Sequence, residues 1–140
     1  MSQENVNVVR NFFEAAPRGD FAAARDALDP QIEWIEPGVP ELWFAGTRHG
    51  PEAVFQEVIG PTFEYVEDFS IQIEQYLDAG DHVVALGHAR GRAKTTGTEF
   101  DLPSAYVCTV HGGKIVRFEA YLDTAQWLRA LGHDAGTVRP

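Results

Sequence analysis

The chain has 140 residues, 44% of them hydrophobic, which predicts one domain (residues 1–140) with room for a core. Lys and Arg number 11 against 21 Asp and Glu, a formal net charge of −10 that argues against nucleic acid and anionic membrane surfaces as partners. No apolar run approaches the ~20 residues of a membrane span, Met1–Asn5 lacks the order of a signal peptide, and the single Cys108 excludes an internal disulfide, so a soluble cytoplasmic protein is expected.

Val6, Val9, Phe12, Phe13 and Ala16 recur at helical spacing, with Ser2 as the expected N-cap and Pro17 as the stop. Gly19-Asp20 reads as a turn and a new cap, and Phe21, Ala24 and Leu28 continue a short second helix that ends at Asp29-Pro30. Gln31–Glu36 alternates as a strand closed by Pro37-Gly38. A loop carrying Trp43, Phe44, Gly46 and His49 follows, and Pro51 opens a third helix with Val54, Phe55, Val58 and Ile59 on its apolar stripe. From Phe63 onward the pattern predicts four long strands, with turns at Asp78-Ala79-Gly80-Asp81, Thr96-Gly97 and Gly112-Gly113. Asp123 and Gln126 form a capping box for a last helix that ends near Gly132. Helices first and an antiparallel sheet after them is the α+β pattern.

Side chains alternate along a strand, so parity sorts the faces. One set carries His82, Val84, Leu86, His88, Arg90 and Arg92; then Phe100, Leu102, Ser104, Tyr106, Cys108 and Val110; then Val116, Phe118, Ala120 and Leu122. These larger, more aromatic sets are expected on the concave face. The smaller sets would form a sheet back covered by a second subunit. On that assignment His88, Arg90, Ser104 and Tyr106 converge in a pocket walled by Trp34, Trp43, Phe44, Phe118 and Phe12, the usual form of a small-molecule site. Arg90 and Arg92 at the rim, paired with surface carboxylates, and His88 as a hydrogen-bonded core residue are the structural alternatives. Glu36 shares a strand face with Trp34. If that face is inward, the carboxylate is desolvated and its pKa rises toward that of a useful general base; if not, it ends the strand in solvent. The five histidines show no metal-ligand spacing, no Cys-x-x-Cys occurs, and no Gly-rich loop opens a helix, so neither metal nor cofactor is expected. Cys108 reads as packing.

The order Arg18-Gly19-Asp20-Phe21, Leu28-Asp29-Pro30-Gln31-Ile32-Glu33-Trp34, Phe44-Ala45-Gly46, Asp78-Ala79-Gly80-Asp81-His82-Val83-Val84 and Gly113-Lys114-Ile115-Val116-Arg117-Phe118 resembles the SnoaL-like polyketide-cyclase branch of the nuclear-transport-factor and ketosteroid-isomerase superfamily. The resemblance implies a cone-shaped α+β barrel, a strongly curved antiparallel sheet wrapped around N-terminal helices, and usually a homodimer. Glu36-Pro37-Gly38 is similar to the proton-shuttling aspartate and proline of ketosteroid isomerases. Their helix tyrosine is matched by Phe12, and their second oxyanion donor falls near Tyr106. The Arg and first Asp of limonene-type epoxide hydrolases fall near His88 and Arg90. The second Asp of those enzymes, like the cyclase acid/base aspartate, falls at Ala120, so both acids are missing. A fold this versatile does not set the reaction. One reading is an isomerase or cyclase moving protons on a hydrophobic carbonyl compound, polyketide- or steroid-like, with Glu36 as base and Tyr106 and His88 as charge stabilisers. A second is a non-catalytic binder in which His88, Arg90 and Arg92 hold an apolar or weakly acidic ligand. A third is a homodimeric interaction module.

Overall fold

The computed structural model describes residues 2–133; the cap expected of Ser2 falls on a side chain outside the described residues. Helix α1 spans Ser2–Ala15 and buries Val6, Val9, Phe12 and Phe13. Pro17 takes the chain through one 3-10 turn, Ala16–Arg18, and Gly19 follows at φ 72°, a conformation open to a residue without Cβ. Asp20 caps α2, Phe21–Asp26, accepting from the Ala23 N–H at 3.0 Å.

Strand β1 is longer than its alternation suggests. It runs Leu28–Glu36 and absorbs Asp29-Pro30 at a register irregularity, a position where proline is tolerated. The next loop ends in β2, Gly46–His49, a short edge strand antiparallel to β1 that the sequence pattern leaves as loop. Helices α3, Pro51–Val54, and α4, Gly60–Tyr65, join through a π-helical stretch, Phe55–Ile59. Gly60-Pro61 would end an ordinary helix. Here the Gly60 N–H bonds the Phe55 carbonyl five residues back, and the widened turn accommodates the proline. The chain is therefore helical through Phe63, where strand was expected.

Strands β3 (Val66–Ala79), β4 (His82–Ala93), β5 (Glu99–His111) and β6 (Lys114–Leu122) follow with the expected turns, then α5, Thr124–Ala130. Asp123 caps α5 by accepting from the Gln126 N–H at 3.1 Å, and the Gln126 amide returns to its carboxylate at 2.6 Å. The strands form one curved sheet in the order β2-β1-β6-β5-β4-β3. It is α+β with the helices before the long strands, as expected, but the sheet is open rather than a closed barrel. One pair, β1 with β6, is parallel, because β1 reaches its neighbour by a long crossover and not through a hairpin turn. No described helix is long and apolar enough to cross a membrane.

The facing of β4 is the main correction. Arg92 pairs with Glu99 and Ala85 with Tyr106, so odd positions of β4 share a face with even positions of β5. Val83, Ala85, Ala89 and Ala93 are buried under the helices, while His82, His88, Arg90 and Arg92 lie on the outer face. The concave side of β4 packs against α1, and that close approach admits only small side chains. On β5 and β6 the expected inward sets hold for Phe100, Leu102, Ser104, Tyr106, Cys108, Phe118 and Ala120. Ile115 is also buried, because a register shift at Thr109 and Val110 turns it inward.

Candidate active site

Between the helices and the concave face lies a cavity of about 150 Å³. Its floor is an aromatic stack. Trp34 on β1 and Phe118 on β6 are register partners across the parallel pair, and their rings stack at 3.8 Å and 7°. Phe12 meets both edge-on, at 6.0 and 5.9 Å, and Tyr106 lies 5.4 Å from Phe118. A second wall is built from Phe44, Phe69 and Trp127, with Phe100 and Trp43 behind it. Phe21 and Phe63, each about two-fifths exposed (40% and 38%), meet edge-to-face at 5.5 Å where the cavity opens.

Glu36 is the acidic residue on this wall. The two-residue period of β1 places it on the face of Trp34, and Pro37 ends the strand beside it. Trp34 Nε1 donates to Glu36 Oε2 at 2.9 Å. Burial among these rings pushes the carboxyl up to about 7; the Trp34 hydrogen bond and the Arg48 charge act more weakly in the opposite direction. Tyr106 is 3% exposed, and burial raises its hydroxyl pKa so that it stays protonated; the neighbouring Ser104 hydroxyl acts more weakly in the opposite direction, and the Glu36 charge adds to the rise. Glu36 is thus a carboxyl poised near neutrality, and Tyr106 a protonated hydroxyl on the same cavity.

The other candidates separate. Trp34, Phe44, Phe118 and Phe12 line the cavity as expected. Trp43 stands behind the wall; its Nε1 donates to Thr62 Oγ1 at 3.1 Å, and Thr62 in turn donates to the Val58 carbonyl at 2.7 Å. Ser104 is buried on the concave face but is not part of the cavity wall. His88 and Arg90 do not belong to the site. His88 Nδ1 lies 2.8 Å from Asp101 and its Nε2 3.4 Å from Glu74, while Arg90 Nε pairs with Asp101 at 2.9 Å, all on the outer face. No Arg, Lys or His lines the cavity among the described residues. Burial raises the Cys108 thiol, which leaves it an inert core residue.

Two residues that the sequence reading did not place in the site matter to it. Arg48, on β2, donates from Nη1 to the Phe44 and Ala45 carbonyls, each at 2.8 Å, and from Nη2 to the Trp43 carbonyl at 2.9 Å. It fixes the loop that carries Phe44. Arg48→Met is expected to destabilise the fold by about 3 kcal/mol, since three carbonyls lose a charged donor. It should also move the Glu36 titration above about 7, because a cation that favours the carboxylate is gone. Chemical denaturation and carboxyl-resolved NMR titration would measure the two effects; an unmoved midpoint would separate Arg48 from the site. Trp127, on α5, is 3% exposed, and its Nε1 is buried with no acceptor. Such an orphan donor costs about 1–3 kcal/mol.

An open curved sheet wrapped over N-terminal helices with a cavity between them is the NTF2-like fold. The structure is similar to that of an NTF2-like protein of unknown function from Burkholderia pseudomallei, with a TM-score of 0.84 at 27% identity, covering 92% of this chain and 98% of that one. It is also similar in fold to a putative SnoaL-like polyketide cyclase from Jannaschia sp. CCS1, with a TM-score of 0.78 at 19% identity over 93% and 92% of the two chains. Residues 9–118 match the SnoaL-like domain family, and the chain belongs to it. An uncharacterized protein of Mycobacterium tuberculosis is 32% identical over 123 residues, 86% of this chain and 91% of that one.

Proposed function

We propose that the protein transfers a proton alpha to the carbonyl of a small, neutral, hydrophobic compound, as an isomerase or a cyclase does. The observation that carries this reading is Glu36: a carboxyl raised to about 7 by burial on the wall of an aromatic cavity. Its carboxylate takes the alpha proton, the C–H electron pair becomes the new C=C bond, and the carbonyl becomes an enolate. Tyr106 donates to the developing oxyanion. Where a β,γ double bond extends the enolate to a dienolate, return of the proton to the γ carbon completes an isomerisation; attack of the enolate carbon on a second carbonyl of the same molecule closes a ring, and the alkoxide so formed takes the proton back from Glu36.

The cavity narrows the substrate. About 150 Å³ is the size that admits one benzene-like ring. A polyketide or steroid would insert one ring and leave the others outside, against the Phe21–Phe63 pair. A binder of weakly acidic ligands is disfavoured, since His88, Arg90 and Arg92 face away from the cavity.

The test is exchange of the alpha protons of cyclohexanone in deuterated buffer, followed by NMR across pH. Because the base must be deprotonated, the catalysed rate is expected to rise with pH and to level off above about 7. An absence of catalysed exchange, or a rate with no inflection near that pH, would remove Glu36 as the base.

A further inference from the structure

The Trp34 indole does more at this site than wall the cavity. Its Nε1–H can only donate, and it donates to Glu36 Oε2 at 2.9 Å. The ring that carries it is held on two sides. It is 4% exposed, lies face to face with Phe118 at 3.8 Å and 7°, and meets Phe12 edge-on at 6.0 Å. The parallel register sets Trp34 against Phe118, and the two-residue period of β1 brings Glu36 to the same face. Register and stacking therefore fix the direction of one N–H bond, and with it the orientation of the Glu36 carboxyl.

This leaves the two carboxyl oxygens unequal. Oε2 is engaged by the indole, whereas among the described residues no hydrogen bond reaches Oε1. The enclosed side-chain atoms without a partner are Ser104 Oγ and Trp127 Nε1. Glu36 Oε1 is not one of them, so it keeps accessible surface, on a side chain that lines the cavity. We infer that Trp34 is a positioning residue: it holds Oε2 as a spectator and presents Oε1 as the one oxygen that takes the substrate proton. This inference rests on the proton-transfer reading of the site. In the step, Oε1 forms the new O–H bond, the C–H electron pair becomes the C=C bond of the enolate, and Oε2 becomes the carbonyl oxygen of the acid. Oε2 accepts from Trp34 before and after, so no hydrogen bond has to be rebuilt as the proton moves. The bond is stronger to the carboxylate than to the acid. Arg48, from β2, and Tyr106, from β5, are the other ionisable groups coupled to Glu36, and the test leaves both unchanged.

The first measurement needs no turnover. The indole N–H signal of Trp34 in the 15N-labelled wild type, assigned by its loss in Trp34→Phe, is expected to move downfield as pH rises through about 7 and Glu36 becomes charged. The second replaces Trp34 by benzothienylalanine, which exchanges the N–H for sulfur and keeps the shape of the ring. Alpha-proton exchange of cyclohexanone by this variant is expected to inflect at a higher pH than in the wild type. Its plateau rate should fall by about 10- to 100-fold at unchanged KM, the scale of a misplaced reacting group. A Trp34 signal that does not follow the wild-type inflection, or an inflection unmoved in the variant, would overturn the clamp and leave proton transfer by Glu36 standing. A moved inflection with an unchanged plateau would show that either oxygen serves, and would overturn the positioning role. A wild type whose Trp34 signal follows pH but which catalyses no exchange would overturn the proton-transfer reading, and the positioning role with it. The wild-type titration decides the clamp even where a variant folds poorly.

Discussion

Glu36→Gln is expected to lower alpha-proton exchange by about 10²- to 10⁴-fold, the usual contribution of a positioned general base, and at the same time to make the fold more stable at alkaline pH. Both effects come from one circumstance. The cavity raises the carboxyl from 4.5 to about 7, so the folded state prefers the protonated form. The stability this group contributes is fully present below about 4.5 and is lost as pH rises through about 7. The full shift corresponds to about 3 kcal/mol. Glu36 keeps part of its surface exposed, so about 2 kcal/mol is the better expectation. Gln cannot ionise, yet its amide oxygen still accepts from Trp34. The variant should therefore exceed the wild type by that amount at pH 8 and match it near pH 4.5. Urea unfolding of both proteins at the two pH values isolates the residue from the other carboxylates. A constant difference across pH would show that Glu36 titrates as an ordinary surface acid.

The second large effect belongs to the sheet. A Cβ on Gly87 would sit 1.9 Å from the Gln72 carbonyl oxygen and 2.8 Å from the Ile73 Cα. Both are backbone atoms of β3 and cannot rotate away. The contact arises where β3 shifts register, between Ile73 and Gln75, and curves over β4. Gly87→Ala is expected to cost about 3 kcal/mol, near the upper end for overpacking, which for a chain of this size is about 10 °C in Tm. Gly97→Ala is the control. It lies at φ 73° with nothing within 4 Å of the added carbon, so it should lose only the left-handed backbone preference, about 1 kcal/mol. Equal losses in the two variants would mean that the β3–β4 curvature relaxes freely.

Local chemistry was legible in the sequence. Pro17-Gly19-Asp20 ends one helix and starts the next, Asp123 caps the last, and the spacing of Trp34 and Glu36 placed both on one face, each for a reason within a few residues. What failed needed distance. The parity of β4 was read from side-chain size, on the premise that larger means inward. The concave side of a strongly curved sheet pressed against a helix reverses that premise, and His88 and Arg90 went outward with the larger set. Register could have warned of it. Five residues, Lys94–Thr98, separate Arg92-Ala93 from Glu99, and pairing across that loop sets odd positions against even ones. The parallel β1–β6 pair and the π turn at Gly60-Pro61 likewise depend on long-range packing. Trp127 lies on the last helix that the capping box predicts; that its indole nitrogen lacks an acceptor is visible only in three dimensions.

The small residues on the concave side of β4 also separate cavity size from chemistry. Ala89 is the β4 side chain on the cavity wall, and it stands on a different strand from Glu36, Tyr106 and Trp34. Lengthening or shortening this one side chain would change how large a ring fits, while Glu36, Tyr106 and the Trp34 hydrogen bond stay in place. Selection can therefore alter cavity size at a position apart from the Glu36 and Tyr106 side chains. This gives a family on one scaffold a simple route to many ligands.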